Sequence, residues 1–182
     1  VKANGIGKRI KQVAVWLMAT AGLVAIDQLV KLWTISTLKE KPAIVLWPGV
    51  FELTYVENRG AAFGILQNQQ WLFTILTIAM IVGLAYVYFR LGPEKKFRLT
   101  KVCSIVVMAG AIGNLLDRVL RHFVVDTFYF KWIDFPVFNV ADCYVVVFGI
   151  LFCLTAFFQK ELLEDIADEL KGRKQGSGGT DF

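Results

Sequence analysis

Residues 71–89 run for nineteen amino acids without a charge. At about 1.5 Å per residue, such a helix nearly crosses a hydrocarbon core of about 30 Å. Three further stretches repeat the pattern with informative interruptions. Residues 12–26 are uncharged and lead to Asp27 and Lys31; residues 102–116 are uncharged and meet Asp117-Arg118; residues 143–159 are uncharged and follow Asp142. Hydrophobic residues make up 56% of the 182-residue chain before glycine is counted, charged residues 19%, and mean hydropathy is +0.55. A soluble core of this size cannot hide so much apolar surface, and the same composition excludes intrinsic disorder and a disulfide-stapled mini-protein. The pattern predicts a mainly α membrane protein with four transmembrane spans, at about 12–33, 71–89, 102–121 and 142–159.

Topology follows from the basic residues. Four precede the first span (Lys2, Lys8, Arg9, Lys11) and five crowd into residues 90–101, whereas residues 32–70 hold three and residues 118–141 hold three. The positive-inside rule places both termini and the 90–101 connection in the cytoplasm, with the two long connections outside. The first segment has a basic start, but no small-x-small cleavage pattern follows it, so it reads as a retained span. The net charge of +5 is explained by this membrane arrangement, and no nucleic-acid partner is expected. Cys103, Cys143 and Cys153 sit in apolar segments without CxxC or Cys/His spacing, so neither a disulfide framework nor a metal site is expected.

The outer connections carry their own structure. Phe51, Leu53 and Tyr55 alternate with Glu52 and Thr54, and the stretch 123–139 is aromatic and strand-like, with Pro136 as a break. These segments, about 43–66 and 123–139, predict a small outer β-cradle resting among lipid headgroups. Residues 160–171 read as a short amphipathic extension of one domain covering 1–171, and the Gly/Ser-rich residues 172–182 as a flexible tail.

Depth then brings the acids together. Asp27 follows Lys11 by sixteen residues and Asp117 follows Lys101 by sixteen, which puts both roughly 24 Å up their helices. Asp126 lies just past the third span, and Asp142 opens the fourth from the outer side. Asp27 has Lys31 at i+4, and Asp117 has Arg118 and Arg121 nearby, so these two read as ion pairs. Asp126 and Asp142 have no neighbouring base. As first-turn residues Asn139 or Asp142 can cap the fourth helix, yet capping does not explain two unpaired acids at one depth. Two carboxylates held close share a proton, so that one acts as general base on water while the other polarises a scissile carbonyl. Asn58, Asn114 and Asn139, at the same level, can donate amide hydrogens to a substrate or to the acids; the alternative is that they are turn and cap residues, above all Asn58 in the turn signal Glu57-Asn58-Arg59-Gly60. The competing readings are a cation- or proton-coupled carrier, which calls for acids spread along the membrane normal or broken helices, and a non-catalytic scaffold.

Five stretches, in order, carry a resemblance: Asp27-Gln28-Leu29-Val30-Lys31, Glu57-Asn58-Arg59-Gly60-Ala61-Ala62-Phe63-Gly64, Gly110 through Arg118 (GAIGNLLDR), Val124-Val125-Asp126, and Phe138-Asn139-Val140-Ala141-Asp142. The chain resembles bacterial lipoprotein signal peptidases (signal peptidase II). The resemblance implies a four-helix intramembrane aspartic endopeptidase with an outer β-cradle and no cofactor. Such an enzyme cuts a prolipoprotein on the N-terminal side of a diacylglyceryl-modified cysteine. It implies a monomer in the bacterial inner membrane, working among membrane lipid with its site near the outer leaflet. By that similarity Asp126 and Asp142 are the catalytic pair, with Asp117 the rival for the first position. Asn58, Gly60, Asn114, Arg118 and Asn139 line the site, and Asp27, Lys31 and Asp117 support it. The family commonly has Phe after the first catalytic Asp, where this chain has Thr127.

Overall fold

The computed structural model describes residues 2–60, 70–92 and 94–158, without the side chains of 2–6, 8, 9 and 70. The amphipathic extension and tail expected at 160–182, and Ala61 through Gly64 of the second motif, lie outside the described residues. The elements in chain order are helix α1 (Lys2–Leu38), strands β1 (Ile44–Trp47) and β2 (Phe51–Asn58), helices α2 (Gln70–Arg90) and α3 (Arg98–Arg121), strand β3 (Val124–Phe130), and helix α4 (Val140–Phe158). Among the described residues four helices are long and apolar enough to cross a membrane, and β1, β2 and β3 form one antiparallel sheet in that order. This is the fold class expected from the sequence.

Helix α3 is the axis of the bundle and packs against α1, α2 and α4. Its sequence Ala109-Gly110-Ala111-Ile112-Gly113 explains how. In lipid no hydrophobic force separates helix–helix from helix–lipid contact, so close packing of small residues decides which faces meet. A Cβ on Gly110 would sit 2.5 Å from the Ala141 carbonyl oxygen and 2.9 Å from Val145 Cγ2, and one on Gly113 would sit 2.5 Å from Asp27 Oδ2. Only hydrogen fits at either place, so α3 draws α4 and α1 against itself at the level of the acids. Below, Leu84, Val107 and Met108 form a core with Trp16, Ile81 and Phe152 packed around it. The outer faces stay apolar towards lipid, as at Leu76 and Val82 of α2 and Val147 and Ile150 of α4.

Several boundaries differ from those expected. Helix α1 continues past 33 to Leu38, because Asp27, Lys31, Thr34 and Leu38 keep one buried face at helical spacing. The stretch expected at 43–66, of which 61–66 lie outside the described residues, divides into two strands at a turn through Pro48 and Gly49, where Gly49 takes φ of 72° and Val50 N–H donates to the Trp47 carbonyl at 2.9 Å. Strand β2 carries Glu57 and Asn58 as its last residues, so the turn begins only at the strand's end. The stretch 123–139 is a strand only to Phe130; a single 3₁₀ turn (Lys131–Ile133) and left-handed Asp134 then reverse the chain. Phe138 returns to pair with Phe128 through main-chain bonds of 2.8 and 3.0 Å. Rings of Phe51, Phe128, Phe130, Phe135 and Phe138, with neighbouring centroids 4.8–6.3 Å apart, fasten the returning segment to the sheet.

Candidate active site

Two polar clusters lie side by side where α1, α3, α4 and the sheet meet. The first is an ion cluster. Lys31 Nζ stands 2.9 Å from Asp27 Oδ2 and 3.1 Å from Asp117 Oδ2, and all three side chains are essentially unexposed. Arg121 pairs with the other Asp117 oxygen. The Val125 amide donates to Asp117 Oδ2 at 3.1 Å, and Asp27 Oδ1 accepts the Ala141 amide of the first turn of α4 at 3.0 Å. Gln28 ties the set together, donating to Asp27, Asp117 and the Gly113 carbonyl and accepting from Arg121. The pairing of Asp27 with Lys31 matches the i+4 expectation. For Asp117 the partners are Arg121 and, from another helix, Lys31. Arg118, expected beside it, turns away: its Nη1 lies 3.4 Å from the Asn114 carbonyl oxygen and its guanidinium 5.5 Å from the Phe73 ring centre. Two cations and a backbone amide thus occupy the Asp117 carboxylate.

The second cluster holds Asp126 and Asp142. Strand β3 brings Asp126 opposite Val56 of β2, and it is 1% exposed. Its Oδ2 accepts from Asn58 Nδ2 at 2.9 Å, and its Oδ1 from Asn139 Nδ2 at 2.6 Å. Asn58 also closes a local turn, since its Oδ1 accepts the Gly60 amide at 3.0 Å. Asp142 Oδ1 accepts from Asn114 Nδ2 at 2.8 Å, and its Oδ2 from the Asn139 amide at 3.1 Å. In return Asn139 Oδ1 accepts the Asp142 amide at 3.0 Å. That reciprocal pair is a capping box at the start of α4, so capping and assembly of the acidic pair are one arrangement, not alternatives. Asn139 touches both acids. Among the described residues neither acid has an ion-pair partner, in contrast to Asp27 and Asp117. Burial first, and the Asp142 carboxylate second, push Asp126 up to about 7, against the two amide donors that pull it down.

Asp142 opens onto a cavity of about 410 Å³ shared with Asn58, Gly60 and Arg118, while Asp126 sits deeper, behind Asn58 and Asn139. Its remaining walls are apolar: the Phe135–Phe138 return on one side, and Cys143, Val146 and Val147 of α4 on the other. One end is therefore polar and carries a guanidinium, and the other suits acyl or apolar side chains. No group of three or more His, Cys, Asp or Glu suited to a metal ion exists among the described residues. All ten candidate residues fall in these two clusters or on the cavity wall. Sequence reasoning missed Gln28 and the two helix-packing glycines as architects of the site, and it missed the buried hydrogen bond of 2.8 Å between Thr34 and Thr127. The glycines were detectable as small residues three apart on an otherwise bulky apolar helix.

The family model described as signal peptidase (SPase) II matches residues 19–158. The lipoprotein signal peptidase of Clostridioides difficile (strain 630) is 44% identical over 137 residues, covering 75% of this chain and 90% of that protein. The one from Streptococcus thermophilus (strain CNRZ 1066) is 41% identical over 144 residues, covering 79% and 92%. A solved bacterial membrane enzyme structure at 2.3 Å superposes with a TM-score of 0.69 at 28% identity, covering 81% of this chain and 90% of that one. Four membrane-crossing helices and a match running from α1 to the end of α4 leave one conclusion: the chain is a multi-pass membrane protein that belongs to the signal peptidase II family.

Proposed function

We propose that this protein is an aspartic endopeptidase that removes signal peptides from prolipoproteins, cutting on the N-terminal side of the diacylglyceryl-modified cysteine. Family membership supports the substrate class. The observation that carries the catalytic type is the pair Asp126 and Asp142: Asp126 buried and Asp142 open to the cavity, neither with an ion-pair partner among the described residues, and the two joined through Asn139. The pair holds one proton between its two carboxyls. Asp142, which opens onto the cavity, draws a proton from water, and the resulting hydroxide attacks the scissile carbonyl carbon. Asp126 gives its proton to the carbonyl oxygen, stabilising the tetrahedral intermediate. Collapse of the intermediate breaks the C–N bond: the proton held on Asp142 passes to the leaving amine of the cysteine, and a hydroxyl proton of the gem-diol returns to Asp126 as that oxygen becomes the carbonyl of the new carboxyl group. The pair is then ready for the next water. Asn58, Asn114 and Asn139 keep the carboxylates in place by amide donation throughout.

The basic residues orient the chain with both termini in the cytoplasm and the site at the outer leaflet, and residues 1–171 act as one domain. At that depth the scissile bond is met without pulling the lipid from the bilayer. The apolar walls formed by Phe135, Val146 and Val147 suit the lipidated end, while Arg118 suits polar backbone or ester oxygens. The test is a gel-shift cleavage assay in detergent, on a prolipoprotein with and without its diacylglyceryl group. Wild type is expected to cut only the lipidated form, with or without EDTA. Asp126→Asn and Asp142→Asn should each lose at least about 10³-fold in rate while remaining folded, in line with the loss of a general acid or base. Near wild-type turnover by either folded variant would remove that residue from the reaction.

A further inference from the structure

Asp126 and Asp142 both accept two N–H donors, but what stands behind those donors differs. The Asn58 amide that serves Asp126 is backed at its oxygen by the Gly60 backbone N–H, and the Asn139 amide by the Asp142 backbone N–H. The Asn114 amide that serves Asp142 is backed by an ammonium: Lys31 Nζ lies 2.8 Å from Asn114 Oδ1. An ammonium only donates, so this contact assigns the oxygen of Asn114 to Lys31 and leaves its NH₂ for Asp142 Oδ1, 2.8 Å away. Lys31 has three donors and three acceptors in reach, namely Asn114, Asp27 and Asp117. With every N–H engaged and the side chain essentially unexposed, the ammonium cannot swing elsewhere.

Resting on the proposed reading of Asp126 and Asp142 as the catalytic pair, we propose that Lys31 is a positioning residue that acts on Asp142 through Asn114. It fixes which way round the Asn114 amide stands and polarises that amide towards Asp142, so that one carboxylate of the pair receives a cation-backed hydrogen bond and the other does not. The two acids thereby become unequal before substrate arrives, which an acid/base division of labour needs. The cost of burying an ammonium in the bilayer is met locally, because Asp27 and Asp117 face it and Arg121 balances the second acid.

Two variants test this in the full chain, in detergent, on the lipidated prolipoprotein. Asp27→Asn/Lys31→Met removes the ammonium while leaving Asp117 paired with Arg121. Asn114→Asp keeps the shape and the Lys31 contact but presents an oxygen, not an N–H, to Asp142. For each, kcat per folded molecule should fall about 10- to 100-fold with KM within about twofold of wild type, the size of a lost charge-assisted hydrogen bond felt at the reacting group. The folded fraction is measured by gel filtration and thermal melting. The proposal is overturned by kcat within about threefold of wild type, by a loss confined to KM, or by a fall that merely tracks the folded fraction. Should the double variant fail to fold, Asn114→Asp decides alone. Asp126→Asn and Asp142→Asn run alongside: if they still cleave, the catalytic pair itself is wrong, whereas if they are dead and the Lys31 variant is fast, only the positioning role falls.

Discussion

Helices α3 and α4 meet at the same polar site but solve opposite problems. Of the most apolar stretch of α3, 61% is buried inside the protein; of that of α4, 6%. Helix α3 buries thirteen residues, including Asn114 and Asp117, whereas α4 fully buries only Ala141 and presents Val145, Phe148 and Phe152 half-buried against α3 and the core, with its remaining faces towards lipid or the cavity. Yet α4 carries Asp142. The difference teaches that in a bilayer a helix need not be a core element to present a functional group. It needs one tightly seated turn, and α4 has its seat where Gly110 and Gly113 let the Ala141 backbone touch α3 and Asp27.

The hardest test of this contrast is Gly110→Leu. Its Cβ would sit 2.5 Å from the Ala141 carbonyl oxygen, so the first turn of α4 must move away and take Asp142 with it. Cleavage is expected to disappear in the gel-shift assay, beyond what an overpacking penalty of about 1–3 kcal/mol would cause through unfolding alone. Next in size is the response to pH. Asp126 holds its proton below about 7, a value raised by burial and by the Asp142 carboxylate, with Asn58, Asn139 and Lys31 opposing. The rate should therefore drop about tenfold per pH unit once the pH has passed that value. The same proton stabilises the fold fully below the ordinary carboxyl range and progressively less as pH rises through about 7, so melting temperature should follow the same direction. A pH-independent rate from 6 to 9 would contradict the proton-sharing pair.

Smaller still is Gly113→Ala. The added methyl would meet Asp27 Oδ2 at 2.5 Å, and that carboxylate is held by Lys31 and the Ala141 amide and cannot step aside. A loss of about 1–3 kcal/mol in a detergent melt is expected, with the site intact enough for residual cleavage. The smallest effect belongs to α4. Gly149 has nothing within 4 Å of an added Cβ, so Gly149→Ala should leave cleavage unchanged and stabilise by up to about 1 kcal/mol through helix propensity. Equal sensitivity of Gly113 and Gly149 in the same melt would erase the distinction between the two helices.

The spans were readable because uncharged runs of helical length are a one-dimensional signal that lipid enforces. Depth arithmetic, also one-dimensional, brought Asp27, Asp117, Asp126 and Asp142 to one level. What a linear reading could not supply is direction around each helix. Lys31 was legible as the i+4 partner of Asp27, but its reach to Asp117 and Asn114 depends on how closely α1 approaches α3, which Gly113 sets. Asn58 read as a turn residue because its local bond, to Gly60, is the one visible in sequence; its bond to Asp126 spans sixty-eight positions. Thr127 departs from the common Phe, and a buried partner, Thr34, takes up its hydroxyl from α1, a compensation that only the assembled fold displays.

The capping box at Asn139 and Asp142 also bears on timing. The hydrogen bonds that begin α4 are the bonds that hold Asp142 and, through the same asparagine, Asp126. A chain in which the first turn of α4 has not wound lacks the bonds that align the two acids. On the proposed reading, the acidic pair stays unassembled until α4 has wound, which ties the onset of cleavage to the formation of this one helix.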